Sequence, residues 1–143
     1  MKLRTAAAIA LALLGAACSD GSTTSTSGAT AIDSPDEVVF DSGELPATIP
    51  DNFPLPAGSA VGSTMVVTDT GFTEVIVRVS AELGITVEFF EQNLEQNGFV
   101  VDSSSGDESK WVIEFSLDGV KGTIDITEPQ SAISQAVLRY NVP

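Results

Sequence analysis

From Trp111 to Thr127 the side chains alternate with a period of two. Trp111, Ile113, Phe115 and Leu117 are separated by Val112, Glu114 and Ser116; after Asp118-Gly119 the alternation resumes, with Val120, Gly122, Ile124 and Ile126 against Lys121, Thr123, Asp125 and Thr127. Successive side chains of an extended chain point to opposite faces, so this pattern describes two strands, each buried on one side only. Asp-Gly between two such runs is a strong signal for a tight antiparallel hairpin. An apolar face on a hairpin must be covered, and the rest of the chain has to supply further strands and a second layer.

The flanking sequence contains both. Residues 63–68 alternate Met65 and Val67 with Thr64 and Val66. Asp69-Thr70-Gly71 reads as a turn, and Phe72 to Val79 places Val75, Val77 and Val79 on one face and Glu74, Ile76 and Arg78 on the other. Thr86 is positioned to cap a helix running to about Asn97, with Val87, Phe90 and Leu94 at i, i+3 and i+7 and Gly98 at its end. Glu88, Glu91 and Glu95 fall on the wet side, and Phe89, about 100° off the stripe, is placed over the edge of the sheet. Phe99 to Ser103 begins the next strand, Gly106 to Ser109 turns it, and Ala136, Leu138, Tyr140 and Val142 form the last inward row. The prolines of Ile49-Pro50-Asp51-Asn52-Phe53-Pro54-Leu55-Pro56 hold that segment extended, with Phe53 and Leu55 as anchors. The predicted fold is α+β: an antiparallel sheet of about five to six strands in the order ββαββββ, one face covered by the helix and the other wet.

The first residues follow different rules. Lys2 and Arg4 precede an apolar run from Ala6 to Leu14, and small residues lead up to Cys18. This is the pattern of a secretory signal peptide, too short for the ~20 residues a membrane-spanning helix needs. Leu14-Gly15-Ala16-Ala17-Cys18 resembles the lipobox of bacterial lipoproteins, although Gly15 stands where that family more often has Leu. The resemblance implies that Cys18 carries diacylglycerol at the mature N-terminus and anchors the chain on the extracytoplasmic face of the cell membrane. Gly15 and Ala17 also suit general signal peptidase, which would leave Cys18 a free thiol.

Residues 19–47 are rich in Ser, Thr, Gly and Asp and have too little apolar surface to order themselves. The expected organisation is therefore a signal peptide at 1–17, a tether at 18–47 with a reach of roughly 30 Å, and a domain at 48–143. Val38-Val39-Phe40 interrupts the tether and reads either as a docking peptide or as an added edge strand. Phe53-Pro54-Leu55-Pro56, together with Val87, Phe90, Leu94, Gly98 and Phe99, resembles small uncharacterised domains in lipoproteins of high-GC Gram-positive bacteria. Those are core and turn residues, so the resemblance implies fold and location only.

Beyond the signal segment the chain has four basic and twenty acidic residues, a net charge of −16. Such a chain repels phosphate backbones and anionic lipids, which argues against nucleic acid as a partner. With one cysteine and no histidine, Cys-His and Ser-His-Asp relays, His-based or paired-Cys zinc sites and internal disulfides are all excluded. No cofactor or metal is expected.

Three features offer chemistry. Asp69-Thr70-Gly71 is the tripeptide carrying the catalytic carboxylate of aspartic proteases, and a dimer would bring two Asp69 side chains together to share a proton. It also sits where a hairpin turn is needed, no Ile-Gly-Arg-like segment follows, and the helix at 86–97 is misplaced for that fold. Asp102 to Glu108 supplies oxygen ligands without EF-hand spacing and reads as a solvated hairpin loop. Trp111 is a core residue before it is a ligand platform. The expectation is a monomeric, non-catalytic binding or interaction module held at the membrane by lipid on Cys18, its partner an envelope protein, peptidoglycan or a small ligand. The alternative is a dimeric aspartic-protease-like enzyme using Asp69.

Overall fold

A computed structural model describes residues 38–142; the expected signal peptide at 1–17, Cys18 and the expected tether as far as residue 37 lie outside the described residues. In chain order the elements are β1 (Val38–Ser42), β2 (Ala60–Val67), β3 (Phe72–Val79), α1 (Leu83–Gln96), β4 (Val100–Gly106), β5 (Lys110–Leu117), β6 (Val120–Gln130) and β7 (Ile133–Asn141). The strands form one sheet in the order β1-β2-β3-β7-β6-β5-β4, every neighbouring pair antiparallel. The α+β class and the antiparallel sheet agree with the sequence reading. The strand count does not: the described residues form seven strands in the order βββαββββ, where about five to six in the order ββαββββ were expected.

The additional strand is β1, which falls within the stretch read as tether. It pairs with β2 from Val38 opposite Val67 to Ser42 opposite Ser63. Of the two readings of Val38-Val39-Phe40, the added edge strand is the one found. A five-residue edge strand needs little more than a backbone ladder, so it leaves almost no period-2 signature. The sheet therefore begins ten residues before the expected domain boundary at 48.

The turn after β5 is the one the Asp-Gly pair demands. Asp118 and Gly119 have φ of 51° and 85°, and Leu117 pairs with Val120 across a two-residue loop of the type I′ kind. The strand expected to begin over Phe99 to Ser103 is β4, and it runs on to Gly106 through most of the 102–108 stretch also read as a loop, with a register shift between Val101 and Ser103. Residues 107–109 make the turn, and Asp107 organises it: its carboxylate accepts bonds from the Ser109 N–H and hydroxyl and from the Lys110 N–H, which hold its pKa below the ordinary aspartate value.

From β3 the chain crosses the sheet to the far edge at β4, and α1 makes that crossing over one face. The helix packs on β4, β5, β6 and β7, burying Leu83, Thr86, Val87, Phe90 and Leu94. The rest of the inner face is covered by the proline-rich segment between β1 and β2. There Ile49 and Phe53 are buried, Leu45 and Leu55 pack against the core, and the Thr48 and Thr73 hydroxyls are hydrogen-bonded at 2.6 Å. Phe53 is the meeting point of the two covers, its ring 6.2 Å from Phe90, 5.7 Å from Phe99 and 5.8 Å from Phe115. Phe89 is half-buried, edge-on to Phe90.

The helix begins three residues earlier than its Thr86 signal. Glu82 stands at the N-cap and makes no side-chain cap bond. The cap comes from across the fold: Glu128, near the end of β6, accepts the Leu83 N–H at 2.8 Å and the Ala132 N–H at 2.9 Å. Thr86 is buried inside the first turn, its hydroxyl donating to the Glu82 carbonyl at 3.1 Å. At the other end the Gly98 N–H donates to Glu95 O and the Phe99 N–H to Leu94 O, the paired bonds of a Schellman stop.

Candidate functional site

Alternation along the strands decides which side chains face away from the helix. On β3 these are Phe72, Glu74, Ile76 and Arg78; on β7, Gln135, Val137, Arg139 and Asn141; on β6, Lys121, Thr123, Asp125 and Thr127; on β5, Lys110, Val112, Glu114 and Ser116. Arg78, Lys110, Lys121 and Arg139 are the four cations of the described residues, and all lie on this open face. The helix on the opposite side carries Glu88, Glu91 and Glu95 and no base. The cations are thus confined to one side, where Glu74, Glu114 and Asp125 accompany them, an arrangement a net charge alone cannot reveal.

The centre of the open face is an ion ladder. Arg139 Nε donates to Glu74 at 2.8 Å and its Nη1 to Asp125, while Lys110 Nζ stands 3.5 Å from the same Asp125. The two carboxylates push the Arg139 guanidinium pKa up, against the opposing effect of burial. These side chains are 22–54% exposed, so each pair contributes about 0–1 kcal/mol and the ladder chiefly orients Arg139. Ile76, Val112 and Val137 lie half-buried on the same face. It is therefore less polar than the wet surface expected.

Two hollows lie on this face. One, of about 230 Å³, is lined among others by Phe72, Asp102, Glu114, Lys121, Thr123 and Arg139. The second, of about 380 Å³, lies beside the β2 register shift and includes Ile76, Arg78 and Gln135. The first combines an aromatic ring, two cations, two carboxylates and a hydroxyl; the second has Arg78 as its single charge. Beneath the first hollow Tyr140 is buried on the inner face, and burial together with the nearby Asp118 carboxylate raises its pKa, keeping the phenol neutral.

The residues singled out in the sequence are placed differently. Asp69 lies exposed on the turn between β2 and β3. Trp111 is half-buried on the inner face, where its indole N–H donates to Ser104 Oγ at 2.7 Å and Ser104 donates to Glu91 at 2.5 Å, tying β4 and β5 to the helix. Among the described residues no group of three or more His, Cys, Asp or Glu side chains is arranged to hold a metal ion, and no helix is long and apolar enough to cross a membrane.

Sequence reasoning missed the open face as a site. Its signal was available in part, because all four cations occupy the outward positions of alternating strands. Their gathering depends on β7 inserting between β3 and β6, which local pattern does not specify. No protein-family model, curated protein or solved structure matches the chain.

Proposed function

We propose that this protein is a non-catalytic binding module, held outside the cytoplasmic membrane by lipid on Cys18, that engages its partner through the open face of its sheet. The observation that carries this reading is the segregation of all four cations, with two hollows and half-buried apolar side chains, onto the face the helix leaves uncovered. Elsewhere the surface is acidic and repels anionic groups, so an approaching partner finds favourable charge on one side only. The lipid and the tether supply placement: two acyl chains anchor stably where one is marginal.

Two measurements test this reading. Mass spectrometry of the mature N-terminus should find a diacylated Cys18, and Cys18→Ser should release the protein from the membrane fraction; an unmodified terminus would sink the anchoring. A photocrosslinking residue at Thr127 on the open face should capture a partner in intact cells, while the same residue at Glu88 on the helix should not. Capture at Glu88 alone, or at neither position, would overturn the assignment of the binding face.

A further inference from the structure

The smaller hollow is divided by charge, and the division selects a class of ligand. Arg139, Thr123 and Glu114 are successive register partners on β7, β6 and β5. At about 4.8 Å per strand, the backbones carrying Arg139 and Glu114 stand about 10 Å apart. Lys121 lies on β6, two residues from Thr123, and Asp102 lies at the β4 register shift, one strand beyond Glu114. Along the strand order β7-β6-β5-β4 the charges thus run from Arg139 and Lys121 to Glu114 and Asp102, cations on one side of the hollow and carboxylates on the other, with the Thr123 hydroxyl beside Lys121 on β6.

The walls do not neutralise each other. No ion pair joins Lys121 or Arg139 to Glu114 or Asp102. Arg139 spends Nε and Nη1 on Glu74 and Asp125, which leaves Nη2 for a ligand. Glu114 uses Oε2 to accept the Ser103 hydroxyl at 2.8 Å, which leaves Oε1. Lys121 makes no ion pair among the described residues. A simple anion is repelled by one wall and a simple cation by the other; a ligand carrying both charges at opposite ends satisfies both.

Resting on the reading of the open face as the binding face, we infer that this hollow binds a short unblocked peptide. Its carboxylate meets Lys121 and Arg139 and its ammonium meets Glu114 and Asp102. A dipeptide, about 7 Å from end to end, needs about 12–13 Å between its partners once a hydrogen-bonding distance of about 2.8 Å is left at each end; that lies between the two and three strand spacings, about 10 and about 14 Å, that separate Arg139 on β7 from Glu114 on β5 and from Asp102 on β4. Thr123 meets its amide, and Phe72, which also lines the hollow, packs against an apolar C-terminal side chain. A hollow of 230 Å³ is smaller than the ~300–1,000 Å³ of drug-sized sites, which limits the occupant to about this size.

The test is titration of the full chain with the dipeptide Ala-Phe in four forms: unblocked, N-acetylated, C-amidated and doubly blocked. Calorimetry should show saturable binding of the unblocked form, weakened at least tenfold by either block. Lys121→Met should remove the preference for a free over an amidated carboxyl end, and Glu114→Gln the preference for a free over an acetylated amino end, with circular dichroism unchanged in both. Equal binding of the doubly blocked peptide, sensitivity to one block alone, or no saturation at millimolar peptide would overturn the inference. If those failures occur while Thr127 still captures a partner in cells, the peptide site falls and the binding face stands; if capture fails as well, both fall.

Discussion

The ring of Phe115 lies over Gly122, so that a methyl group built on that glycine would come within 2.3 Å of Phe115 Cζ. The two are register partners on β5 and β6, and Tyr140 is the next partner on β7. The Phe115 and Tyr140 rings stack at 6.1 Å and 7° across the gap the glycine leaves. Gly122 thus holds an inward position of the alternation by being absent, and the neighbouring ring supplies the apolar surface there.

Gly122→Ala should therefore destabilise the domain by about 1–3 kcal/mol, the usual cost of overpacking a core. Urea unfolding measures it. The same substitution in a Phe115→Leu background should cost clearly less, because the shorter side chain leaves room for the methyl. Equal costs in both backgrounds would show that the penalty does not come from the ring.

Acid should weaken the cap that Glu128 places on the helix. Its bonds from Leu83 and Ala132 N–H hold the folded-state carboxyl below the ordinary glutamate value. A depressed pKa contributes stability that is complete above the unfolded value, about 4.3, and is lost as pH falls through the folded one. Glu128→Gln should be less stable than the parent at neutral pH, and the gap in urea midpoint should close as the pH is lowered below that value. A gap that persists unchanged into acid would mean that the carboxylate charge plays no part. Asp107 is depressed in the same direction and contributes to the acid sensitivity of both proteins.

The domain boundary can be tested by truncation. A chain starting at Val38 keeps β1; one starting at Thr48 loses it, together with Leu45, which packs against the core. The shorter chain should unfold at lower urea and associate in a concentration-dependent way, since it exposes the edge of β2. Identical midpoints and monomeric behaviour in both would mean that β1 adds nothing to the fold.

Asp69 should behave as an ordinary turn residue. It is exposed between β2 and β3, and asparagine preserves the turn chemistry, so Asp69→Asn should change stability by no more than about 0.5 kcal/mol. Neither protein should cleave peptides. Pepstatin-sensitive cleavage by the parent, abolished in the variant, would revive the protease alternative.

Much of the fold was legible because it is written in local repeats. The strand from Phe72 to Val79, the Asp118-Gly119 hairpin, the Val87-Phe90-Leu94 stripe and the Gly98 stop follow from periods of two and 3.6 and from turn chemistry, which act over a few residues. The misses share a cause. β1 was hidden because an edge strand is held by a backbone ladder, and the true helix start because its cap is a glutamate 45 residues further along the chain. The stretch at 102–106 looked like loop because an edge strand tolerates serines that a central strand would not.

By itself, the sequence determined which side of β3, β5, β6 and β7 is apolar, that histidine and disulfide chemistry are absent, and that all four cations beyond residue 17 fall on outward positions; on β2 it did not, since the buried Thr64 faces in beside Val75 while Met65 faces out beside Glu74. These are properties of single residues and their near neighbours. Only the tertiary structure decided that β7 lies between β3 and β6, which brings Arg139 between Glu74 and Asp125 and sets Lys121 across from Glu114 and Asp102 in one hollow. The reason is physical: in-plane neighbours in a sheet are chosen by long-range strand pairing, and an alternating pattern specifies the face of a side chain without specifying the strand beside it.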